Sequence, residues 1–223
     1  MSVELVIFDC DGVLADSEVI SAHVLIEELA REGIAIDFGY VRRHFLGRSF
    51  PTVAKMIRED LDRPLPADFE MRYRNRLLKR FETELRPTSG VVEVLDALNV
   101  AACVATSSSP ERVSRTLELL GLAARFGPDV FTASEVRHGK PAPDLFLHAA
   151  RRMGVPPART LVIEDSAPGL TAAGAAGMAA LAYTGGEHLQ GQAPDAPFPV
   201  RFFDNWADFP HLFEELCQGS DAT

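Results

Sequence analysis

Cysteine is scarce in this chain of 223 residues: Cys10, Cys103 and Cys217 stand far apart, with no CxxC pair. An odd, scattered set excludes a disulfide framework and a cysteine zinc site, and it suits a reducing, cytoplasmic setting. Long apolar runs are missing as well. The run at the N-terminus is far shorter than a membrane span and has no basic stretch before it, so neither an anchor nor a signal peptide is expected. Positive charge is also short, with 22 Lys and Arg against 32 Asp and Glu and a net charge of −10. That balance speaks against a nucleic-acid partner. There is no internal repeat and no low-complexity tract.

What is present is the material of an ordinary globular protein, 47% hydrophobic and 24% charged, enough for a sizeable core. The length allows one large domain, or a main domain with an insertion. Charge separates two regions. Residues 16–86 hold 13 basic and 13 acidic side chains, so the whole negative excess lies in the remainder. An acidic body keeps a protein soluble; if it handles an anion it needs a cation or a basic lid.

Residues 3–8 are a short apolar run, apolar on both faces, as in a strand at the middle of a parallel sheet. Residues 16–85 contain no convincing strand. Helical patterns cover 18–31, 39–46, 50–61 and 67–85, with Ser17 as the N-cap and Gly33 as the C-cap of the first. From residue 87 the rhythm alternates. Strands are expected at 100–105, 129–133, 160–163, 179–183 and, more weakly, 200–203, and helices at 91–99, 110–121, 143–154 and 170–177. The last of these helices is built of small residues and must pack closely on something. Residues 184–199 read as loop and 219–223 as a frayed end. The alternation argues for an α/β fold with a parallel sheet covered on both faces.

Polar residues gather where these strands end. The first delivers Asp9 and Asp11, which can share a side, and Gly12, which lets the chain turn. Neighbouring carboxylates repel, so a fold keeps them with a compensating cation or an unequal share of protons. Thr106, Ser107, Ser108 and Ser109 follow the second strand and precede a helix, where backbone N–H groups bind anions. Lys140 is held between a glycine and a proline, and Glu164 and Asp165 follow another strand. Each feature alone has a plainer reading, as a turn, a helix cap or a solvated loop lysine. Together they put two carboxylate pairs, a lysine and a hydroxyl cluster at one strand-end crevice. Hard oxygen ligands there suit Mg²⁺, and the metal with Lys140 would neutralise a phosphate and let an Asp act as nucleophile.

The segments DCDGVL (9–14), Thr106, GKPAPD (139–144) and EDSAPG (164–169) resemble, in order, the four motifs of the haloacid dehalogenase superfamily. The resemblance covers nearly the whole chain and is nearest to the β-phosphoglucomutase-like and sugar-phosphatase branch. It implies a Rossmann-like core, 1–15 and 87–223, with a helical cap at 16–86. It further implies that Asp9 is the nucleophile and a metal ligand. Asp11 would be the general acid and base, its backbone carbonyl on the metal. Thr106 and Ser107 would bind the phosphoryl oxygens, Lys140 would bridge the phosphate and Asp9, Asp165 would be a metal ligand, and Glu164 a ligand or a ligand's partner. A second Asp in the first motif counts against carbon–halogen chemistry.

Gly47, Arg48 and Ser49 resemble the cap loop that closes over the substrate, with Arg48 placed to meet a second phosphate or a sugar acid. Closure would exclude bulk water, on hinges near Ala15–Asp16 and Arg86–Thr88. Arg72, Arg76 and Lys79 share one helix face, directed either to the mouth of the site or to solvent. Ser21 falls where β-phosphoglucomutases carry a cap histidine, which favours a phosphatase. The expectation is a monomeric cytoplasmic Mg²⁺-dependent phosphatase of sugar or sugar-acid phosphates working through an aspartyl-phosphate, with no nucleic-acid or membrane partner. A phosphosugar mutase is the first rival. A non-enzymatic switch protein with a phosphorylatable Asp is the second.

Overall fold

The computed structural model describes residues 2–189 and 191–218. Six strands, β1 (Leu5–Phe8), β2 (Ala101–Thr106), β3 (Val130–Thr132), β4 (Thr160–Glu164), β5 (Ala179–Tyr183) and β6 (Arg201–Phe203), form one sheet in the order β3-β2-β1-β4-β5-β6. All five pairings are parallel. This is the Rossmann-like order, and its reversal falls at β1, with β2 on one side and β4 on the other. Phe8 stands opposite both Val104 and Ile163. The loops after β1, β2 and β4 therefore open at one edge.

The pleat sends alternate residues into two apolar layers. Val6, Phe8, Val104, Ile163 and Leu181 enter one; Leu5, Ile7, Cys103, Val162 and Ala180 enter the other. The first layer is closed by α5 (Val91–Ala97), α6 (Pro110–Leu119), α7 (Ala123–Phe126) and α10 (Phe209–Gln218), the second by α8 (Asp144–Met153) and α9 (Ala167–Ala175). The small residues of α9 serve close approach: Ala172 and Ala173 are fully buried on the sheet, and Gly174 leaves room for Phe198. The sequence reading passed over α7 and α10. The first is a single turn, whereas α10 carried a legible signal: Phe209, Leu212, Phe213 and Leu216 repeat at helical spacing and pack on the first layer. The frayed end expected at 219–223 lies outside the described residues.

Between β1 and α5 the chain forms α1 (Glu18–Arg31), α2 (Phe38–His44), α3 (Phe50–Asp60) and α4 (Phe69–Glu84), which share an apolar cluster of their own. Leu29, Ile57, Leu77 and Phe81 are buried in it. Polar contacts lock α1 to α4. Fully buried Glu28 receives Arg31 at 2.8 Å, Arg72 at 3.2 Å and Arg76 at 2.5 Å. Arg72 and Arg76 thus turn onto α1 rather than to a site mouth and stay partly exposed, whereas Lys79 is exposed. The two chain crossings that join these helices to the sheet run side by side. Asp16 N–H donates to Arg86 O at 2.9 Å and Thr88 N–H to Leu14 O at 3.0 Å.

Candidate active site

Asp9 continues β1, its N–H donating to Ile163 O at 3.0 Å. Its Oδ1 accepts from Lys140 Nζ at 2.7 Å, and the same ammonium donates to Glu164 Oε1 at 2.6 Å and Ala105 O at 3.0 Å. The lysine side chain is 1% exposed, so its three donors face fixed acceptors rather than water. Glu164 is fully engaged as well: Oε2 accepts the N–H groups of Asp165 and Ser166 and the Ser166 hydroxyl, at 2.9–3.0 Å. Two glycines let this loop close. Gly169 leaves the space that Glu164 fills, and at Gly12, with φ +83°, a methyl group would overlap the Asp165 carboxylate.

Oxygen atoms of Asp9, Glu164 and Asp165 lie within 4.8 Å of one another, all three side chains buried. Burial raises the Asp9 carboxyl well above its ordinary value; Lys140 pulls it back, and the charges of Glu164 and Asp165 push it up again. Burial also raises Asp165, against the pull of His188, whose Nε2 donates to Asp165 Oδ2 at 2.9 Å. Three buried carboxylates and one lysine leave a deficit of positive charge. An oxygen-only donor set of this kind fits a hard divalent cation such as Mg²⁺.

Asp11, two residues on, takes no part in that cluster through its side chain. Its Oδ1 accepts from Ser17 Oγ and from Arg112 Nη2, both at 2.6 Å, and its Oδ2 from Ser108 Oγ at 2.5 Å. Burial alone would raise this carboxyl, but the Arg112 charge and the hydroxyl donors outweigh it and hold it below its ordinary value. Two acids on one strand end are thus driven apart by their surroundings, Asp9 towards the protonated form and Asp11 towards the carboxylate. Ser17 is the N-cap residue of α1, as spacing predicts, but it spends its hydroxyl on Asp11 and makes no side-chain capping bond.

The loop at 45–49 sits over this edge. Ser107 Oγ donates to Gly47 O at 3.4 Å, and a methyl group at Gly47 would lie 2.6 Å from Ser166 Cβ. Beneath it a cavity of about 80 Å³ has Asp9, Asp11 and Thr106 on its floor and Leu25, Phe45 and Phe50 on its roof. Gly47, Arg48, Ser107 and Arg112 line it too, and a crevice of about 260 Å³ continues from it past Tyr73 and Arg74. Lys140, Glu164 and Asp165 meet Asp9 from behind, so every residue singled out for the site stands at this one edge.

Sequence reasoning passed over Ser17, Glu18, Arg112 and His188. Glu18 lines the cavity, and burial together with the nearby Asp11 raises its carboxyl to about 7. Arg112 stands in the first turn of α6, just after the hydroxyl cluster, where a strand-end site draws its groups. His188 lies on a short turn, Glu187–Leu189, within the expected loop after β5, with no local pattern to mark it.

The haloacid dehalogenase-like hydrolase family model matches residues 3–177, which hold all four motif segments. The chain belongs to the haloacid dehalogenase-like hydrolases. It is similar to the 6-phosphogluconate phosphatase of Escherichia coli, 26% identical over 222 residues that cover 99% of this chain and 98% of the relative. A probable pseudouridine-5'-phosphatase of Drosophila melanogaster is 33% identical over 181 residues, 77% of this chain and 78% of that protein. Among solved structures, a haloacid dehalogenase-like protein of unknown function from Agrobacterium tumefaciens superposes with a TM-score of 0.79. It is 30% identical, with 97% of this chain and 100% of that one covered. No helix among the described residues of this family member is long and apolar enough to cross a membrane.

Proposed function

We propose that this phosphoric monoester hydrolase acts on sugar or sugar-acid phosphates with Mg²⁺ as its cofactor, through a phosphorylated Asp9. The observation that carries the reading is Lys140 held between Asp9 and Glu164 in a nest of three buried carboxylates. Such a nest is costly unless it meets a polyvalent cation and an anion together. Asp9 and Asp165 would hold the metal with the Asp11 carbonyl, and Glu164 would fix Lys140 and the 164–166 turn. The bound cation would supply charge neutralisation, so that a carboxylate can approach a phosphate.

Within this reading the chain's own residues act in a simple order. Lys140, Thr106 and the Ser107 backbone bind the phosphoryl oxygens. An Asp9 oxygen bonds to phosphorus as the ester P–O bond breaks, and Asp11 gives its proton to the departing oxygen. Asp11 then takes a proton from water as the water oxygen bonds to phosphorus and the Asp9–phosphorus bond breaks. The helices at 16–86 serve as a cap, and the seating of Gly47 between Ser107 and Ser166 is its closed position. Arg48 lines the cavity from above and recognises the leaving group. Ser21, bonded to Ser17 O and Arg112, offers no imidazole at the mutase position, which supports hydrolysis over transfer. The protein works as a cytoplasmic monomer on small esters, with no nucleic acid or membrane, in keeping with its acidic surface.

The test is phosphate release from a panel of sugar phosphates, sugar-acid phosphates and nucleotides, with Mg²⁺ or with EDTA and no bisphosphate activator. Multiple turnovers on a sugar or sugar-acid phosphate, abolished by EDTA, are expected. Mg²⁺ alone should also raise the midpoint of thermal unfolding, by about 2.7 kcal/mol of stability at a hundredfold excess over its Kd. Isomerisation of a sugar phosphate without net release would replace this reading with the mutase, and a long-lived phospho-Asp9 without turnover would replace it with the switch.

A further inference from the structure

His188 stands outside all four motif segments and beyond residue 177, where the family match ends. Its side chain is 2% exposed, and its Nε2 donates to Asp165 Oδ2 at 2.9 Å. The other ring nitrogen, Nδ1, is buried and finds no partner among the described residues. A histidine is a poor choice merely to fill this space, because a buried, unsatisfied nitrogen carries a cost that an apolar side chain of similar size avoids. The backbone makes room for the ring all the same. A methyl group at Gly186 would lie 2.4 Å from its Cε1; one at Gly12 would lie 3.0 Å from that atom and 1.8 Å from Asp165 Oδ2. Glycines of two separate loops thus clear the space in which one ring meets one carboxylate oxygen. The turn that carries the ring is itself tied down. Leu189 N–H donates to Gly186 O and Arg42 Nη1 on α2 donates to Leu189 O, both at 3.1 Å.

We propose that His188 is a positioning residue for the metal site, holding Asp165 in the orientation in which it takes a divalent cation. The inference rests on one part of the reading above, that Asp165 is a metal ligand. An aspartate side chain turns about two bonds, and a fixed N–H on Oδ2 arrests both while keeping the other oxygen for the cation. A group hydrogen-bonded to a metal ligand orients it and tunes its strength as a donor, so its loss weakens metal binding without removing a ligand. The other two carboxylates of the nest are held in the same manner. Asp9 accepts from Lys140, and Glu164 accepts from the backbone of its own turn. His188 completes the set, supplying Asp165 with the fixed donor that its loop does not.

The test is calorimetric titration of Mg²⁺ alone into the metal-free full chain, as wild type, His188→Leu, His188→Gln, His188→Asn and Gly186→Ala, with phosphate release followed in parallel. Loss of a ligand's hydrogen-bond partner weakens metal binding about 10–100-fold, and the Kd of His188→Leu should rise by that factor. A glutamine amide reaches about as far as Nε2, so His188→Gln should recover most of the affinity. The shorter amide of His188→Asn ends near Nδ1 and should not. Gly186→Ala keeps the ring but crowds it from its seat, and it should weaken binding by a smaller factor. Should His188→Leu fail to fold, His188→Gln against His188→Asn carries the same comparison. An unchanged Kd in His188→Leu would overturn the proposal. Equal weakening in the Leu, Gln and Asn variants would overturn it too, since the loss would follow the packing of the ring and not its N–H. Mg²⁺ binding by wild type without phosphate release would sink the phosphatase reading, while the Kd series would still decide on His188. A wild type that binds no Mg²⁺ would overturn both.

Discussion

Two buried ionic clusters, one on each side of the cleft, are composed in opposite ways. Between α1 and α4, one fully buried carboxylate meets three arginines: Glu28 with Arg31, Arg72 and Arg76, while Glu32, Asp68 and Glu27 hold Arg72 and Arg76 from the rim. At the end of β1, three carboxylates meet one lysine: Asp9, Glu164 and Asp165 around Lys140. The first cluster is complete. Its arginines reach from half-exposed stems to a buried anion and pin one helix to another. The second is short of positive charge, and in the proposed function a metal ion would complete it. An ionic cluster that closes on itself is architecture, and one left short of charge is a site.

The comparison breaks most visibly at Asp9. Asp9→Asn should cut phosphate release by at least about 10⁴-fold, since no nucleophile remains, and in metal-free buffer at pH 7 it should raise the urea midpoint. The reason is that the fold holds the Asp9 carboxyl above its ordinary value, so the ionised form works against folding and a neutral amide does not. A variant that loses both activity and stability would show that Asp9 is held as comfortably as Glu28. Glu28→Ala should behave in the reverse sense. It removes the buried centre of the network, at a cost of about 3 kcal/mol, the low end for a broken buried pair. The cost stays low because Arg72 keeps Glu32 and Asp68, Arg76 keeps Glu27, and all three arginines retain water on one side. Urea unfolding checks the figure, and a change below about 1 kcal/mol would make the seam a surface network of little weight.

The same contrast explains what could be read from the sequence. The edge that gathers the candidate site was legible because strand geometry fixes it locally. An apolar run of strand length must end, and Asp9, Thr106, Lys140 and Asp165 stand where four such ends or the loops after them must lie. The Arg72 and Arg76 stripe was visible at helical spacing, but its direction was not, since its partner Glu28 is 44 residues away and helical periodicity ranks faces without naming what covers them. Arg112 and His188 were missed for the same reason. Each acts through a partner fixed only when the sheet and the helices are assembled, Asp11 at a separation of 101 residues and Asp165 across the β5 loop. Ser17 shows the converse. It stands at the N-cap position that spacing predicts, and the nearness of a buried carboxylate draws its hydroxyl away from the helix.

Glu18 is the residue at which the two clusters come closest in kind, a carboxylate on a cap helix facing the core, and it gives the smallest of the expected effects. Its carboxyl titrates near 7 in the folded protein, raised by burial and by Asp11 against the pull of His188 and Arg112, and near about 4.3 in the unfolded chain. Between these values the folded state binds the proton and the unfolded state does not, so stability falls as pH rises through that window and is unaffected below it. Glu18→Gln, neutral throughout, should flatten the decline by about 1 kcal/mol, a modest amount because the residue keeps some contact with water. Asp9 and Asp165 contribute slopes of the same sign, so the measurement is the difference between the two proteins in urea unfolding from pH 4.5 to 8, not either curve alone. Two parallel curves would mean that Glu18 is solvated in the unliganded protein. The cap would then stand open in solution, and its closure would come with the substrate rather than before it.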